Sequence, residues 1–310
     1  MDFNIKKKYM IFSIVNALTK DNHTYYRMVF SDTEGATVNA IMFDVKKLKF
    51  TPEKGIIVDV TGVLQTYNGA SQLKVFDMEK VDGANTDEFL PKSDKDAKEM
   101  GDELKKILDK HIKSSYFKEL ANKFLNDENV FGNFLRKPAA KSVHHAYIHG
   151  LLEHTLSMMK LSILIADYYG KDINKELLLM GALFHDSGKI MEIDSDNAFD
   201  YTDEGKLLGH LILGMELVNR YVSEINDFPE KARQLVIHMI ASHHGYLEFG
   251  SPKKPKTKEA MILHFVDNLD AKLATMDSVF EKEDIKAGGW SSYDRILERH
   301  LYKHDLYPET

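Results

Sequence analysis

The 310-residue chain is 43% hydrophobic and 29% charged, a composition typical of globular proteins that excludes a wholly disordered one. Its formal net charge of −7 argues against tight nucleic-acid binding driven by phosphate neutralisation alone. Because the chain has no cysteine, disulfides and thiolate sites are excluded, and any metal site must use His, Asp or Glu. Ten of the 14 histidines lie between residues 144 and 264, about twice the number that even scattering would give.

The N-terminus superficially resembles a signal peptide, because Lys6-Lys7-Lys8 precedes the apolar stretch Tyr9–Val15. That stretch is short, contains Ser13 and leads into a strand pattern. No run reaches the roughly 18 apolar residues of a membrane span. We therefore expect a cytoplasmic protein with no membrane attachment.

Short β patterns separated by turns occupy residues 9 to 82. Alternation such as Val58 and Val60 against Asp59 and Thr61 indicates strands with one buried face. Five strands in this length predict a small barrel, either of the OB type that often binds oligonucleotides or of an SH3-like type. The predicted strands are Tyr9–Leu18, Tyr25–Ser31, Thr37–Phe43, Gly55–Gln65 and Gln72–Met78.

A polar connector from Asp82 to about Ser93 precedes a long region with helical periodicity. We predict a multidomain α+β protein with a barrel over 1–82, a linker and lead-in helices over 83–140, and an all-α bundle with a C-terminal extension over 141–310. The predicted helices are Ala97–His111, Tyr116–Leu125, Gly150–Tyr169, Asn174–Asp186, Lys206–Ile225, Pro229–His244 and Thr257–Lys282.

Five stations along these helices carry a histidine or aspartate near an apolar face. A lone histidine is more often a core or surface residue, but a bundle brings residues from facing helices together, and imidazole with carboxylate suits divalent transition metals. Two of the stations also stand where helices end, before Ser-Gly-Lys and before Gly. The predicted metal ligands are His154, His185, Asp186, His210, His243, His244 and Asp267.

The series His154, His185-Asp186 and Asp267 resembles the signature of the HD-domain phosphohydrolases, and three further histidines match the extra ligands of two-metal members. More narrowly, the chain resembles the YhaM-type 3′-to-5′ exoribonucleases, which join an N-terminal OB-fold to an HD domain. His149 departs from that pattern, where a glycine is expected before Gly150. The likeness is carried by residues 30–35, 62–75, 144–147, 150–155, 184–189, 208–210, 242–245, 249–252 and 267–272.

This resemblance implies a metal-dependent 3′-to-5′ exoribonuclease that hydrolyses single-stranded RNA to nucleoside 5′-monophosphates by metal-activated water. It implies two divalent ions, Mn²⁺ first, with Co²⁺, Fe²⁺ and Mg²⁺ as alternatives. One would be held by His154, His185, Asp186 and Asp267, and Asp186 would bridge to a second held by His210, His243 and His244. Lys189 is a catalytic candidate, because its ammonium could face the scissile phosphate; the alternative is a solvated lysine at a helix end.

Several residues are expected to contact single-stranded RNA, while single-stranded DNA as a ligand and a homo-oligomer stay open. Phe76 is expected in the barrel core. Deleting residues 1–82 is expected to impair long-RNA degradation more than hydrolysis of a small phosphodiester. The candidates for RNA contact are Tyr67, Gln72, Lys74, His144, His145, Lys253 and Lys254, for the last two of which a merely soluble basic loop is the alternative.

Three other functions are weighed against this one. HD-GYP cyclic-dinucleotide phosphodiesterases share the His-Asp and His-His stations, but no Gly-Tyr-Pro follows Lys189 here. A nucleotide phosphohydrolase is a further enzymatic alternative. A non-catalytic OB module with a structural HD domain is opposed by the retention of seven metal-binding side chains, for which a silent site has no physical need.

Overall fold

A computed structural model describes residues 3–67, 70–141, 145–194 and 199–306. The chain divides into two compact units. The first comprises Met1–Lys92 with Asp194–Asp200, and the second comprises Ser93–Ile193 with Tyr201–Thr310. The boundaries at residues 82 and 140 stay a prediction.

The first unit is a closed five-stranded barrel with the strand order β1-β2-β3-β5-β4. Strands β3 and β5 pair in parallel, whereas the other neighbours are antiparallel. This order is that of the OB fold, which confirms the predicted barrel type. The strands are β1 (Phe3–Leu18), β2 (Thr24–Ser31), β3 (Thr37–Met42), β4 (Ile57–Tyr67) and β5 (Ala70–Lys80).

The barrel core follows the period-two alternation of its strands, with Met28 and Phe30 on β2 and Leu73 and Val75 on β5 all buried. Phe76 is 49% exposed, so its expected place in the core is wrong. The register of β5 steps from Val75 to Asp77 at this point, which makes Phe76 the extra residue of a β-bulge.

Residues 194–200 lie between two helices in sequence but belong to the barrel unit. There Phe199 is fully buried and packs edge-on against Phe12, with ring centroids 5.8 Å apart. The Nζ of Lys54 donates a hydrogen bond to the Phe199 carbonyl. This unit is therefore built from two separate pieces of chain.

The second unit is helical, as predicted. The helices over Ala97–His111 and Gly150–Tyr169 have the predicted bounds, whereas the helix over Glu128–Arg136 was not predicted. None of the helices in the described ranges combines the length and apolar character needed to cross a bilayer. The helices are α1 (Ala97–His111), α2 (Ser115–Asn126), α3 (Glu128–Arg136), α4 (Gly150–Tyr169), α5 (Lys175–Phe184), α6 (Lys189–Glu192), α7 (Asp203–Ser223), α8 (Glu230–Ser242) and α9 (Lys258–Lys282).

Helix α5 is the centre of the helical core, because every residue from Leu177 to Phe184 is buried. Its N-terminus is fixed by Asn174, whose side chain accepts from the Leu177 N–H. The helix ends at the core, so the residues that follow it, His185 and Asp186, are also buried. Packing of α5 against α4, α8 and α9 brings the chemistry-bearing ends of these helices to one region.

Candidate metal centre

Three side chains from α4, α9 and the end of α5 meet in a buried cluster. The Nε2 of His154 lies 3.1 Å from the Nε2 of His185 and 3.3 Å from the Oδ1 of Asp267. Both histidines are almost fully buried. These three donors have the spacing of a metal-binding group.

A second group of donors comes from α7 and the end of α8. His210, His243 and His244 offer ring nitrogens that all lie within 4.8 Å of one another. The rings of His243 and His244 are adjacent, with centroids 4.3 Å apart. This group contains imidazoles alone, whereas the first contains a carboxylate.

Asp186 lies between the two groups and faces both. Its Oδ2 is 3.7 Å from the Nε2 of His154 and 3.4 Å from that of His185. Its Oδ1 is 3.6 Å from the Nε2 atoms of both His210 and His243. One carboxylate therefore presents one oxygen to each cluster, which is the geometry of a bridging ligand.

In each of the five histidines of the two groups, the Nδ1 lies against an oxygen that accepts a hydrogen bond. Because a carbonyl or carboxylate oxygen cannot donate, the Nδ1 carries the hydrogen and the Nε2 keeps a lone pair for a cation. The acceptors are Asp270 for His154, the Ala182 carbonyl for His185, Glu192 for His210, the Ile240 carbonyl for His243 and the Phe249 carbonyl for His244.

This donor set fits divalent cations. With its Nδ1 against the Ala182 carbonyl, His185 turns its Nε2 lone pair toward the Nε2 of His154 at 3.1 Å, and a positive charge between the two nitrogens, either a proton or a divalent cation, stabilises this arrangement. The Oδ1 of Asp186 and the Nε2 of His210 are buried and have no hydrogen-bond partner among the described residues. Buried polar atoms are normally satisfied, so these two atoms point to ligands rather than to structural groups.

The charges at the site also favour cations. Burial raises the pKa of Asp186, but the charge of Lys189 holds that pKa well below its usual range. Hydrogen bonds likewise lower the pKa values of Asp267 and Asp270 against the effect of burial. Burial lowers the pKa of His154, but its bonds with Asp267 and Asp270 raise it to about 9, so near neutral pH its Nε2 holds a second proton that a divalent cation would displace. The three carboxylates thus draw positive charge to the donors.

Lys189 is the first residue of α6, and its Nζ lies 2.7 Å from the Oδ2 of Asp186. Burial lowers the pKa of this lysine, but the charge of Asp186 raises it above its ordinary value, so the side chain is a cation. Gly188 makes this turn compact, because a Cβ there would lie 2.0 Å from the His210 carbonyl oxygen. The two predicted catalytic residues are therefore in direct contact.

Gly209 interrupts α7 and directs His210 into its group. Its φ of 76° and ψ of 156° are non-helical and available almost only to glycine. The interruption is satisfied by Glu192, whose Oε1 accepts both the His210 N–H at 3.0 Å and the His210 Nδ1–H at 3.1 Å. Sequence reasoning missed Glu192, and its spacing from Asp186 gives no periodic signal for it.

Asp270, also missed from the sequence, supports the first cluster. Its Oδ2 lies 2.7 Å from the Nδ1 of His154 and 3.0 Å from the Nε2 of His145, and Ser157 donates to its Oδ1. Its position three residues after Asp267 places both carboxylates on one side of α9, a signal that could have found it. His145, for which substrate contact stays a prediction, lies against Asp270 and the Tyr147 hydroxyl.

Comparison of the sequence with known proteins agrees with this site. The HD domain family model matches residues 151–272, which include every predicted ligand. The 3′-5′ exoribonuclease YhaM of Bacillus subtilis (strain 168) is 32% identical over 307 residues, covering 95% of this chain and 93% of that protein. Its namesake in Listeria monocytogenes serotype 4b (strain CLIP80459) is 31% identical and covers 91% and 90%.

The chain belongs to the YhaM family of 3′-5′ exoribonucleases. A solved structure of the mitochondrial single-stranded DNA-binding protein Rim1 from S. cerevisiae covers 26% of this chain at 16% identity. Its TM-score of 0.21 is too low to support an argument.

In this YhaM-family chain, the barrel carries a groove of about 510 Å³. The three predicted RNA-contacting residues of the barrel, Tyr67, Gln72 and Lys74, all line it. Tyr25 and Phe43 line it as well and stack on each other, with ring centroids 5.3 Å apart. The bulge residue Phe76 is not among the lining residues.

The other predicted contact residues have different surroundings. Lys253 and Lys254 are exposed on the loop between α8 and α9. His144 lies outside the described residues. His149 has a φ of 72°, the left-handed conformation that explains why a glycine is expected there, and its Nδ1 donates to the Leu135 carbonyl.

Proposed function

We propose that this protein is a metal-dependent 3′-to-5′ exoribonuclease that hydrolyses single-stranded RNA to nucleoside 5′-monophosphates. The position of Asp186, with one oxygen toward each histidine cluster, is the observation that carries the proposal. Two-metal sites are typical of enzymes that cleave phosphoesters. The names of the YhaM relatives supply the RNA substrate and the direction.

The residues proposed to hold the ions are divided by the geometry of the two clusters. His154, His185 and Asp267 would hold one ion, His210, His243 and His244 the other, and Asp186 would contact both. When bound, divalent cations supply Lewis acidity toward the phosphate and lower the pKa of a water molecule. A set of five imidazoles and two carboxylates favours a transition metal such as Mn²⁺, Fe²⁺ or Co²⁺ over Mg²⁺.

Lys189 is proposed to contact the scissile phosphate. Its side chain is only 12% exposed and its ammonium is paired with Asp186, so it is fixed in place before the substrate arrives. A preorganised cation stabilises the negative charge that develops on the phosphate oxygens. Hydrolysis places the oxygen of water on the 5′-phosphate of the departing nucleotide and leaves a 3′-hydroxyl on the shortened strand.

The barrel groove is proposed to hold the single strand. Tyr25, Phe43 and Tyr67 offer ring faces, and Arg27 and Lys74 supply positive charge in the same groove. Aromatic faces with basic side chains are the usual means by which OB folds bind single strands. Binding of single-stranded DNA, self-association and a cytoplasmic location stay predictions.

The test uses Mn²⁺ and 5′-labelled single-stranded RNA, with circular RNA, a cyclic dinucleotide and a DNA oligonucleotide in parallel. We expect stepwise shortening of linear RNA and no change in the circle. Asp186→Asn should lower the rate by more than about 100-fold, because losing even a residue that only supports metal ligands typically costs 10–100-fold. Asp277→Asn, an exposed carboxylate on α9, is the matched control.

Two of the alternative functions predict different results in this test. Cleavage of the cyclic dinucleotide with intact linear RNA would favour a cyclic-dinucleotide phosphodiesterase. Binding of RNA without cleavage, unaffected by Asp186→Asn, would favour a non-catalytic module. Cutting of the circular RNA would contradict exonucleolytic action.

A further inference from the structure

An exposed aromatic turn follows directly on the second histidine cluster. It comprises residues Gly245–Ser251 and carries Tyr246, which is 45% exposed, and Phe249, which is 62% exposed. The two rings contact each other edge to face, with centroids 5.8 Å apart. Large rings exposed to this degree contribute little to a hydrophobic core, so folding alone does not account for them.

This aromatic turn is attached to the proposed metal ligands by specific contacts. The Phe249 carbonyl accepts the hydrogen of His244 Nδ1 at 2.9 Å. On the other side, His264 Nδ1 donates to the His243 carbonyl at 2.8 Å, and the Tyr246 ring packs against the His264 ring. Phe249 is therefore linked directly to His244, and Tyr246 is linked to His243 through His264.

The backbone of the aromatic turn is held in one conformation. Gly245 has a φ of 81°, and a Cβ there would lie 2.2 Å from the His264 ring, so only glycine permits this packing. The Phe249 N–H donates to the Tyr246 carbonyl at 3.2 Å, and the Ser251 N–H donates to the same oxygen at 3.3 Å. The rings are thus presented on a preorganised support, which lowers the entropic cost of binding.

We propose that Tyr246 and Phe249 stack the base at the 3′ end of the RNA while its phosphate lies at the clusters. This inference rests on the proposed exoribonuclease function. The aromatic turn follows His244 directly in the chain. A nucleotide whose phosphate lies at the clusters would therefore place its base against this turn, which favours a nucleobase over a protein partner. Stacking needs no particular base, which suits an enzyme that removes every nucleotide in succession.

The exposed lysines that follow fit the same occupant. Lys253 and Lys254 come directly after the aromatic turn, where the phosphates of the preceding nucleotides would carry negative charge. Aromatic rings interleaved with basic side chains are typical of single-strand binding surfaces. Rings and charges together therefore match a polynucleotide better than an uncharged apolar ligand.

The experiment compares two RNA substrates that differ at one position. One ends in a normal 3′-nucleotide and the other in a 3′-abasic nucleotide, and kcat/KM for release of the terminal unit is measured with Mn²⁺. Stacking on an aromatic side chain contributes about 1–3 kcal/mol, so we expect the wild type to prefer the normal end by roughly 5- to 150-fold. Phe249→Leu, which keeps apolar bulk but removes the ring face, should reduce this preference severalfold.

Two controls separate stacking from a structural role. Phe76→Leu makes the same change at an exposed phenylalanine of the barrel and should keep the full preference. The affinity of Phe249→Leu for Mn²⁺, measured by isothermal titration calorimetry, should equal that of the wild type. A loss of Mn²⁺ affinity with equally slowed cleavage of both substrates would overturn the inference, because the ring would then support the clusters instead of a base.

Failure of this inference is distinguishable from failure of the proposed function. If the wild type shortens neither RNA, the exoribonuclease proposal itself is wrong. If it shortens RNA and Phe249→Leu keeps the wild-type preference for the normal end, only the stacking inference is wrong. In a binding assay that needs no turnover, Asp186→Asn should quench a 3′-terminal 2-aminopurine more strongly than Asp186→Asn combined with Phe249→Leu.

Discussion

At the scale of single residues, one oxygen of Asp270 accepts from two histidines at once. The Oδ2 binds both His154 and His145, while the Oδ1 accepts from Ser157. An amide in place of this carboxylate would put a donor nitrogen against one of these N–H or O–H groups. The charge of Asp270, rather than its volume, therefore fixes the tautomer of His154 that leaves the Nε2 lone pair for a cation.

We expect Asp270→Asn to weaken Mn²⁺ binding by about 10- to 100-fold, the usual cost of removing a partner of a metal ligand. Isothermal titration calorimetry measures the affinity, and circular dichroism checks that the variant is folded. Asp277→Asn on the same helix is the control and should bind Mn²⁺ like the wild type. An unchanged affinity in Asp270→Asn would show that His154 is oriented by other contacts.

The sequence predicted the metal ligands but not the two carboxylates that hydrogen-bond to them. His185-Asp186 and His243-His244 stand out because each is a pair of metal-binding residue types at the end of an apolar helical pattern. Asp270 and Glu192 act through histidines that are distant in sequence, by 116 and 18 residues. The spacing of three residues from Asp267 places Asp270 on the same side of α9 but does not name its partner, and Glu192 has no such spacing, so only the fold reveals the two contacts with the histidines.

At the scale of elements, a helix interrupted by one glycine positions His210. The break at Gly209 frees the His210 N–H from the helix and gives it to Glu192. Although burial raises the pKa of Glu192, the bonds with His210 lower it, so the carboxylate is ionised. The two halves of α7 thus have different tasks, since the second half is packed into the core and the first ends at the site.

We expect Gly209→Ala to destabilise the protein by about 1–3 kcal/mol, because alanine is strained at a φ of 76° and a ψ of 156°. Denaturant unfolding measures this loss. The control is Gly132→Ala in the middle of α3, where nothing lies near the added methyl group, and which should be neutral or slightly stabilising. Equal stabilities of the two variants would contradict the strain at Gly209.

The same scale shows where periodicity predicts structure and where it fails. The bounds of α1 and α4 were predicted because their apolar spacing is regular over at least four turns. Helix α3 was not predicted, because it has only nine residues, too few to repeat an apolar spacing several times. Alternation from the buried Leu73 and Val75 places Phe76 outside, and the bulge shifts the alternation only after it, so that Met78 is buried; counting back from Met78 gives the wrong face for Phe76.

At the scale of the whole molecule, an acidic chain is proposed to bind a polyanion. The net charge of −7 opposes general attraction of RNA, so binding must come from bound cations, a few lysines and stacking on exposed rings. The barrel groove and the aromatic turn both offer such rings. Neither requires the large excess of basic residues that sequence-independent electrostatic binding needs.

We expect Tyr67→Ala to raise KM for a long single-stranded RNA by roughly 5- to 150-fold, the equivalent of about 1–3 kcal/mol of lost stacking. Hydrolysis of bis-p-nitrophenyl phosphate, which is too small to use the groove, should stay unchanged. Phe76→Ala provides the control, because this phenylalanine is about as exposed but does not line the groove. Parallel losses on both substrates would show that Tyr67 acts on the fold rather than on RNA.

The return of residues 194–200 to the barrel unit limits how this architecture can be taken apart. Deletion of residues 1–82 would remove Phe12, against which the buried Phe199 packs, and would leave residues 194–200 in the remaining chain without the unit to which they belong. Removing the barrel alone would therefore expose a buried phenylalanine in the chain that remains, so a truncated enzyme would need a polar residue in place of Phe199 to stay well behaved in solution.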